Sequence, residues 1–301
     1  MAAPQKEKSQ MTKFDPRIEI SNKIIAALEA GAPPWRKPWT GGTSAAFPLR
    51  STDEQYRGIN VLMLWLAAEE NNYSSAHWFT YRQAKELGGQ VRMGEKSNTV
   101  VKYGTVEREN DQGEDTKIPY MRAYRVFNAD QIEGLPEQYY IAPTPPRDLG
   151  TVADPNLDTF FASFGVPIDT TDKPQAYYTP STDRIHMPPI ATFFKATEFY
   201  GTLAHECAHA TGHKSRLDRF NKYQNRKAYA FEELVAEIAA CILGAELGFK
   251  PDFQQSVAYI ENWLTALNDD KTMIFKAASE AQKAVDFIKV KASETIAEVA
   301  A

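Results

Sequence analysis

The sequence predicts an α+β protein of two domains, the second mostly helical. Apolar residues recur at helical spacing in several segments, ring-rich segments between residues 98 and 127 alternate as strands do, and a proline-rich stretch separates the two patterns. A chain of 301 residues has room for two domains of ordinary size.

Residues 1–14 are polar and without periodicity, and read as a flexible tail. A helix is expected over Pro16–Ala30, where Ile20, Ile24, Ile25 and Leu28 form one stripe and Gly31 ends it. Pro33-Pro34-Trp35-Arg36-Lys37-Pro38-Trp39 cannot extend that helix, because proline removes a donor and fixes φ. Helices are expected again over Ile59–Asn71 and Thr80–Leu87, the latter stopped by Gly88-Gly89. Asn98–Glu107 and Pro119–Phe127 read as strands joined by the turn Asn110-Asp111-Gln112-Gly113. Ala142-Pro143-Thr144-Pro145-Pro146-Arg147 is the stiff linker candidate, which sets a first domain at 15–141, a linker at 142–153 and a second domain at 154–301. The second domain reads as a helix over Asp154–Phe164 and short strands at Ala176–Tyr178 and Arg184–Met187. Helices then follow over Thr197–Thr211, Phe231–Leu247, Phe253–Leu267 and Ile274–Val299.

At 43% hydrophobic and 24% charged, the composition excludes disordered and fibrous classes. No apolar run reaches membrane-spanning length, so no membrane partner is expected. Two cysteines, Cys207 and Cys241, cannot make a disulfide framework, and with no N-terminal apolar segment they point to the cytoplasm. Residues 1–140 hold 18 basic and 18 acidic side chains, so the net charge of −5 falls on the remainder. Neither half has the acidity of a DNA mimic or the basicity of a nonspecific DNA coat. A nucleic-acid surface would have to be a local patch.

The chemistry concentrates in His205-Glu206-Cys207-Ala208-His209. Histidines four residues apart share a helix face, so both imidazoles can converge on one ion. Glu206 is rotated by about 100° from His205, where its carboxylate can activate water beside the ion. The H-E-x-x-H spacing therefore gives each residue a mechanical role and predicts one zinc or other divalent ion per chain. A third ligand is needed. The zincin pattern H-E-x-x-H-x-x-G-x-x-H fails here: Gly212 stands at its glycine, but Ser215 occupies the third histidine position and His213 comes two residues early. A second zincin pattern takes a glutamate from a following helix as E-x-x-A-[D/N/E], and Glu233-Leu234-Val235-Ala236-Glu237 matches it. Glu233 is then the ligand and Glu237 the group that orients a ligand histidine; the reverse stays open, since residues one turn apart share a face. Peptide hydrolysis would further need an edge strand for the substrate, and Asp183–Pro189 is expected to be that edge because prolines forbid pairing.

In the first domain, Trp78-Phe79-Thr80-Tyr81-Arg82-Gln83-Ala84-Lys85 interleaves rings and cations, and Lys96 follows closely. Single-stranded nucleic acid is bound by such a mixture, with rings for the bases and cations for the phosphates. Trp78, Tyr81, Arg82, Lys85 and Lys96 are the candidate contacts. Tyr120-Met121-Arg122-Ala123-Tyr124-Arg125-Val126-Phe127 mixes the same kinds of side chain. Rings are more often core and long cations solvated, so composition alone does not decide.

The motifs together resemble one family. Ile24-Ile25 with Gly31, Pro34–Trp39, Tyr56-Arg57-Gly58-Ile59-Asn60, Trp78–Lys96 and Tyr124-Arg125-Val126-Phe127-Asn128 resemble the single-stranded-DNA-binding domain of ArdC-type antirestriction proteins, found also in TraC-type conjugation primases. His205–His213 followed by Tyr229–Ala240 resembles the zincin-type metallopeptidase-like domain of the same family. The resemblance implies a plasmid-borne protein that binds single-stranded DNA entering by conjugation and protects it from host restriction. It implies a metal in the second domain, with a host restriction-system protein as a further partner. Two other readings stay open: an active zinc protease localised to DNA with Glu206 as general base, and an interaction protein whose ion merely pins two helices, closed by His213.

Overall fold

The computed structural model describes residues 15–35, 47–109, 115–222, 228–252 and 257–300. The tail at 1–14, Arg36–Trp39, the turn at 110–113 and the expected helix start at 253–256 lie outside the described residues. In chain order the first half contains α1 (Pro16–Glu29), β1 (Leu49–Arg50), α2 (Ile59–Asn71), β2 (His77–Phe79), α3 (Tyr81–Glu86), β3 (Gln90–Val91), β4 (Asn98–Glu109), β5 (Asp115–Asn128) and β6 (Ile132–Glu133). The second half contains α4 (Pro155–Ser163), β7 (Ile168–Thr170), β8 (Tyr177–Thr179), β9 (Arg184–Met187), α5 (Ala196–Thr211), α6 (Arg219–Lys222), α7 (Ala228–Leu247), α8 (Val257–Asp269) and α9 (Met273–Ala300). The α+β class is as the sequence predicts.

The helix starts follow local chemistry. Asp15 caps α1 by accepting the Arg17 N–H at 2.9 Å, and Asp154 caps α4 by accepting those of Asn156 and Leu157 at 2.9 and 3.2 Å. Each cap precedes a proline at the first helical position, where no donor is lost. In the first half the sheet order is β1-β2-β5-β4, with β4 and β5 forming a long antiparallel hairpin from Asn98↔Val126 outward. β3 and β6 form a separate two-stranded pair.

In the second half β7, β9 and β8 form a three-stranded sheet in that order. The prolines after Met187 predict that β9 lies at an edge; instead it is central, parallel to β7 and antiparallel to β8. Pro188 and Pro189 stand beyond the last strand residue, so every N–H within β9 remains available for pairing. The edges of this sheet are β7 and β8, and of the two it is β8 that lies beside α5 residues His205 and His209 in one cavity.

The stretch at 142–153 has no helix or strand, but it does not separate two cores. One hydrophobic cluster runs from Ile20 on α1 through Trp65 on α2 to Ile242 on α7 and Ile288 on α9. Trp35 and Trp263 meet edge to face at 5.8 Å, both fully buried. Gln282 on α9 accepts the Gly58 N–H at the start of α2 at 3.0 Å, and Arg57 pairs with Asp286 beside it. The proline stretch is itself pinned, with Arg147 N–H donating to the Gly248 carbonyl at 2.8 Å and its guanidinium to Asp154 at 2.8 Å. Trp263→Ala is accordingly expected to cost about 3–5 kcal/mol and to melt both halves in one transition in calorimetry. A variant whose halves melt separately would show that the shared core does not couple them.

Candidate metal centre

α5 and α7 cross with their small and apolar faces together, which brings the polar stripe of each to one place. Cys207, Ala208 and Ala210 of α5 are fully buried, as are Leu234, Val235 and Ala236 of α7. Cys207 is a plain core thiol, and its burial pushes its pKa upward. Opposite that core, His205 and His209 from α5 meet Glu233 from α7, their ligand atoms all within 4.8 Å of one another.

The edges of this triangle are informative. Nε2 of His205 and Nε2 of His209 are 3.0 Å apart, and the Glu233 carboxylate lies 3.6 Å from the first and 3.4 Å from the second. A tetrahedral ion with bonds of roughly 2.0–2.1 Å holds its ligands roughly 3.3 Å apart. Two imidazoles and a carboxylate at this spacing therefore fit a divalent ion. Glu237 sits differently: its carboxylate is 3.9 Å from Nδ1 of His205, the ring nitrogen turned away from the cluster. Of the two glutamates that the sequence leaves open, Glu233 faces both Nε2 atoms and Glu237 stands behind one histidine.

His209 has its own carboxylate behind it, one that no spacing rule marks. Glu232 lies 3.3 Å from Nδ1 of His209. Its two oxygens are gripped by Arg219, whose Nε and Nη2 donate at 3.0 and 2.7 Å. Arg219 is 0% exposed and also donates to Thr211 Oγ1 and to the Ala208 carbonyl, both at 2.7 Å. It reaches this position because residue 212 is glycine: a Cβ there would come within 2.8 Å of the Phe220 ring and 3.1 Å of the Arg219 guanidinium. Gly212 thus gives Arg219 and Phe220 room to approach the end of α5. His209 has a carboxylate within hydrogen-bond distance of its second nitrogen, an arrangement that fixes tautomer and ring orientation at metal sites, while Glu237 stands 3.9 Å behind His205.

The charges are balanced tightly. Burial works against charging His209, but hydrogen bonds to Glu232 and Glu233 outweigh it and push the pKa up to about 10. Burial would raise Glu233, yet the two histidines bring it well below the usual carboxylate range. An incoming ion must displace the His209 proton, so affinity is expected to weaken as pH falls from about 8 to about 6. Calorimetric titration in buffers of different ionisation heat checks both the weakening and the proton release; an affinity independent of pH would contradict the arrangement.

The remaining surroundings form a cavity of about 500 Å³ lined by the donor residues, Glu206, Ala176 to Tyr178 around β8, and Tyr229 and Tyr259. Glu206 is almost buried yet reaches this cavity. Tyr229 and Tyr259 bring their hydroxyls to 3.3 Å. Burial first, then that contact and the Glu233 charge, raise the Tyr229 pKa and keep its proton in place. His213 does not join the cluster; it is half-buried, with Nδ1 2.8 Å from the Ser215 hydroxyl.

The candidate DNA contacts divide. Tyr81, Arg82 and Lys85 are exposed on α3, and Lys96 is exposed before β4. Arg82 is already paired with Glu86 at 2.8 Å. Trp78 is 2% exposed and packs edge to face on Tyr73 at 5.8 Å, so its ring has no face to offer a base. It belongs to the core because β2 is covered on both sides, which composition alone does not reveal.

A helix with two histidines one turn apart, a glutamate from the next long helix and a small sheet beside them define a zincin-like metallopeptidase domain. The family model described as "Zincin-like metallopeptidase" matches residues 155–280, and "N-terminal domain of anti-restriction factor ArdC" matches residues 14–127. The chain belongs to the ArdC antirestriction family. The metal-free crystal structure of antirestriction protein ArdC from plasmid R388 is 61% identical, with a TM-score of 0.85 over 93% of this chain and 99% of that one. Its Mn(II)-bound structure gives 60% identity and a TM-score of 0.81 over the same shares. The uncharacterized protein y4eC of Sinorhizobium fredii (strain NBRC 101917 / NGR234) is 36% identical over 300 residues, 96% of each chain. DNA primase TraC of Escherichia coli is 36% identical over 291 residues, which are 90% of this chain but 26% of the primase.

Proposed function

We propose that the chain binds single-stranded DNA through residues 15–141 and protects DNA entering by conjugation from restriction. Its second unit, 154–301, would carry a divalent-metal centre competent for peptide hydrolysis on a host protein. The observation that supports hydrolysis is the open side of the donor cluster. Three protein ligands leave a tetrahedral ion one position short. Among the described residues no fourth ligand approaches, and the open position faces the large cavity that holds Glu206. A purely structural ion would call for closure by His213, which points elsewhere.

Zinc is the ion that the two-histidine, one-glutamate donor set favours, while the Mn(II) in the R388 relative supports a divalent ion in general. Such an ion would supply Lewis acidity toward water and a peptide carbonyl. The chain's own groups would do the rest. Glu206 accepts a proton as general base, and the Tyr229 hydroxyl donates a hydrogen bond to the carbonyl oxygen. Residues of β8, an edge strand, line the cavity, and such an edge can pair with an extended peptide. Cytoplasmic action fits two buried cysteines that stand outside any disulfide.

Metal analysis of the purified protein beside His205→Ala, His209→Ala and Glu233→Ala tests the centre, with about one ion per chain expected in the parent and loss in each variant. Full occupancy in all three would overturn it. DNA binding is tested by titrating the full chain with a single-stranded oligonucleotide and its duplex at several salt concentrations. Tighter, salt-dependent binding of the single strand is expected; equal, salt-insensitive affinities would overturn that part.

A further inference from the structure

Strand register sorts the β4–β5 hairpin into two chemically unlike faces. Val100, Lys102, Gly104, Val106 and Arg108 of β4 lie opposite Tyr124, Arg122, Tyr120, Ile118 and Thr116 of β5, and successive residues of a strand alternate sides. One face therefore carries Lys102, Arg108, Arg122, Tyr120 and Tyr124 and no carboxylate. The other carries Tyr103, Glu107, Lys117 and Arg125. There the cations are spent: Lys117 pairs with Glu107 at 3.6 Å, and Arg125 pairs with Glu19 at 3.8 Å. On the first face Lys102, Arg108 and Arg122 are all exposed, and among the described residues none is paired with an acid.

Two features of that face work against stability. Lys102 and Arg122 are directly opposite, and like charges across a strand pair repel. Tyr120 is a solvent-facing ring on a strand that a smaller side chain would serve as well. It lies over Gly104, where a Cβ would stand 2.6 Å from its ring atoms, so the glycine lets the ring lie flat on the sheet. The face continues into a cavity of about 300 Å³ between Tyr124, Lys102, Tyr56 and Arg50. There the Arg50 guanidinium sits 5.3 Å from the centre of the Tyr56 ring, and Glu54 lies 3.9 Å from Arg50. Unpaired cations repelling one another beside flat exposed rings fit a polyanion with stackable bases.

We propose that this face of the hairpin, Lys102, Gly104, Tyr120, Arg122 and Tyr124, is where single-stranded DNA is bound. The proposal rests on the single-strand-binding reading above and gives it a location. Phosphates lie against Lys102 and Arg122 and a base stacks on Tyr120, both sequence-tolerant contacts. It displaces the composition-based candidates Tyr81, Arg82 and Lys85 from the centre of the interface.

The test is fluorescence anisotropy of a labelled oligothymidylate with the full-length protein across a salt series. Tyr120→Ala is expected to weaken binding roughly 5- to 150-fold, the range for losing one stacked base. Lys102→Ala/Arg122→Ala is expected to lower the salt slope by about 1.4, for two phosphate contacts to a single strand. Gly104→Val, which removes no cation or ring but displaces Tyr120, should weaken binding as Tyr120→Ala does. Lys117→Ala, on the opposite face, should bind as the parent. If the parent itself fails to bind, the DNA-binding reading falls and the site with it. If the parent binds and the hairpin variants match it, or Lys117→Ala loses as much as they do, only the location is overturned.

Discussion

Arg219→Leu is expected to destabilise the protein by about 3–5 kcal/mol, the cost of stripping one partner from a buried ion pair. Arg219 has no solvent exposure, and its four hydrogen bonds go to Glu232, Thr211 and Ala208, on the two helices that carry the metal centre. Without it, the Glu232 carboxylate keeps its charge in a poorly solvated place. A urea titration reads the loss directly. A second effect separates support of the site from support of the fold. Glu232 holds His209 by its second nitrogen, so ion affinity in the folded variant is expected to fall about 10- to 100-fold. Arg219→Leu/Glu232→Leu removes the orphaned charge and should regain much of the stability while leaving affinity low. A single variant within about 1 kcal/mol of the parent would refute the buried-pair account.

The legibility of this site in the sequence was uneven for physical reasons. α5 and α7 are long enough for periodicity to speak, so spacing alone puts His205, His209 and the Glu233/Glu237 pair on helix faces. Which glutamate turned toward the ion depended on the crossing of two helices, which no spacing rule contains. Glu232 and Arg219 were invisible for a different reason: a charged pair reads as surface until the fold buries it. The strands β1, β2, β3, β6 and β7 span two or three residues each, too few for alternation to register. β9 is central although prolines follow it, because Pro188 and Pro189 terminate the strand rather than belong to it. The hairpin was expected, but its division into a paired and an unpaired face follows from register, and one residue of slip would exchange the two.

Glu206→Gln is expected to retain the ion, the fold and the affinity for single-stranded DNA, and to lower peptide hydrolysis by about 10²- to 10⁴-fold, the usual worth of a positioned general base. The exchange preserves volume and a hydrogen-bonding carbonyl, so the nearly buried position is not opened, but the amide no longer accepts a proton at neutral pH. Glu206 is not one of the three clustered ligands, whereas His209 is, so His209→Ala should lose both the ion and the hydrolysis. Digestion of fluorogenic casein, with and without single-stranded DNA, reads the chemistry, and survival of conjugated DNA in a restricting host reads the biology. If Glu206→Gln protects DNA as well as the parent while His209→Ala fails, the ion serves structure and hydrolysis is not the means of protection. If both variants protect fully, the N-terminal half suffices. Loss in both, with DNA binding intact in both, is the result that ties protection to a proton transfer at Glu206.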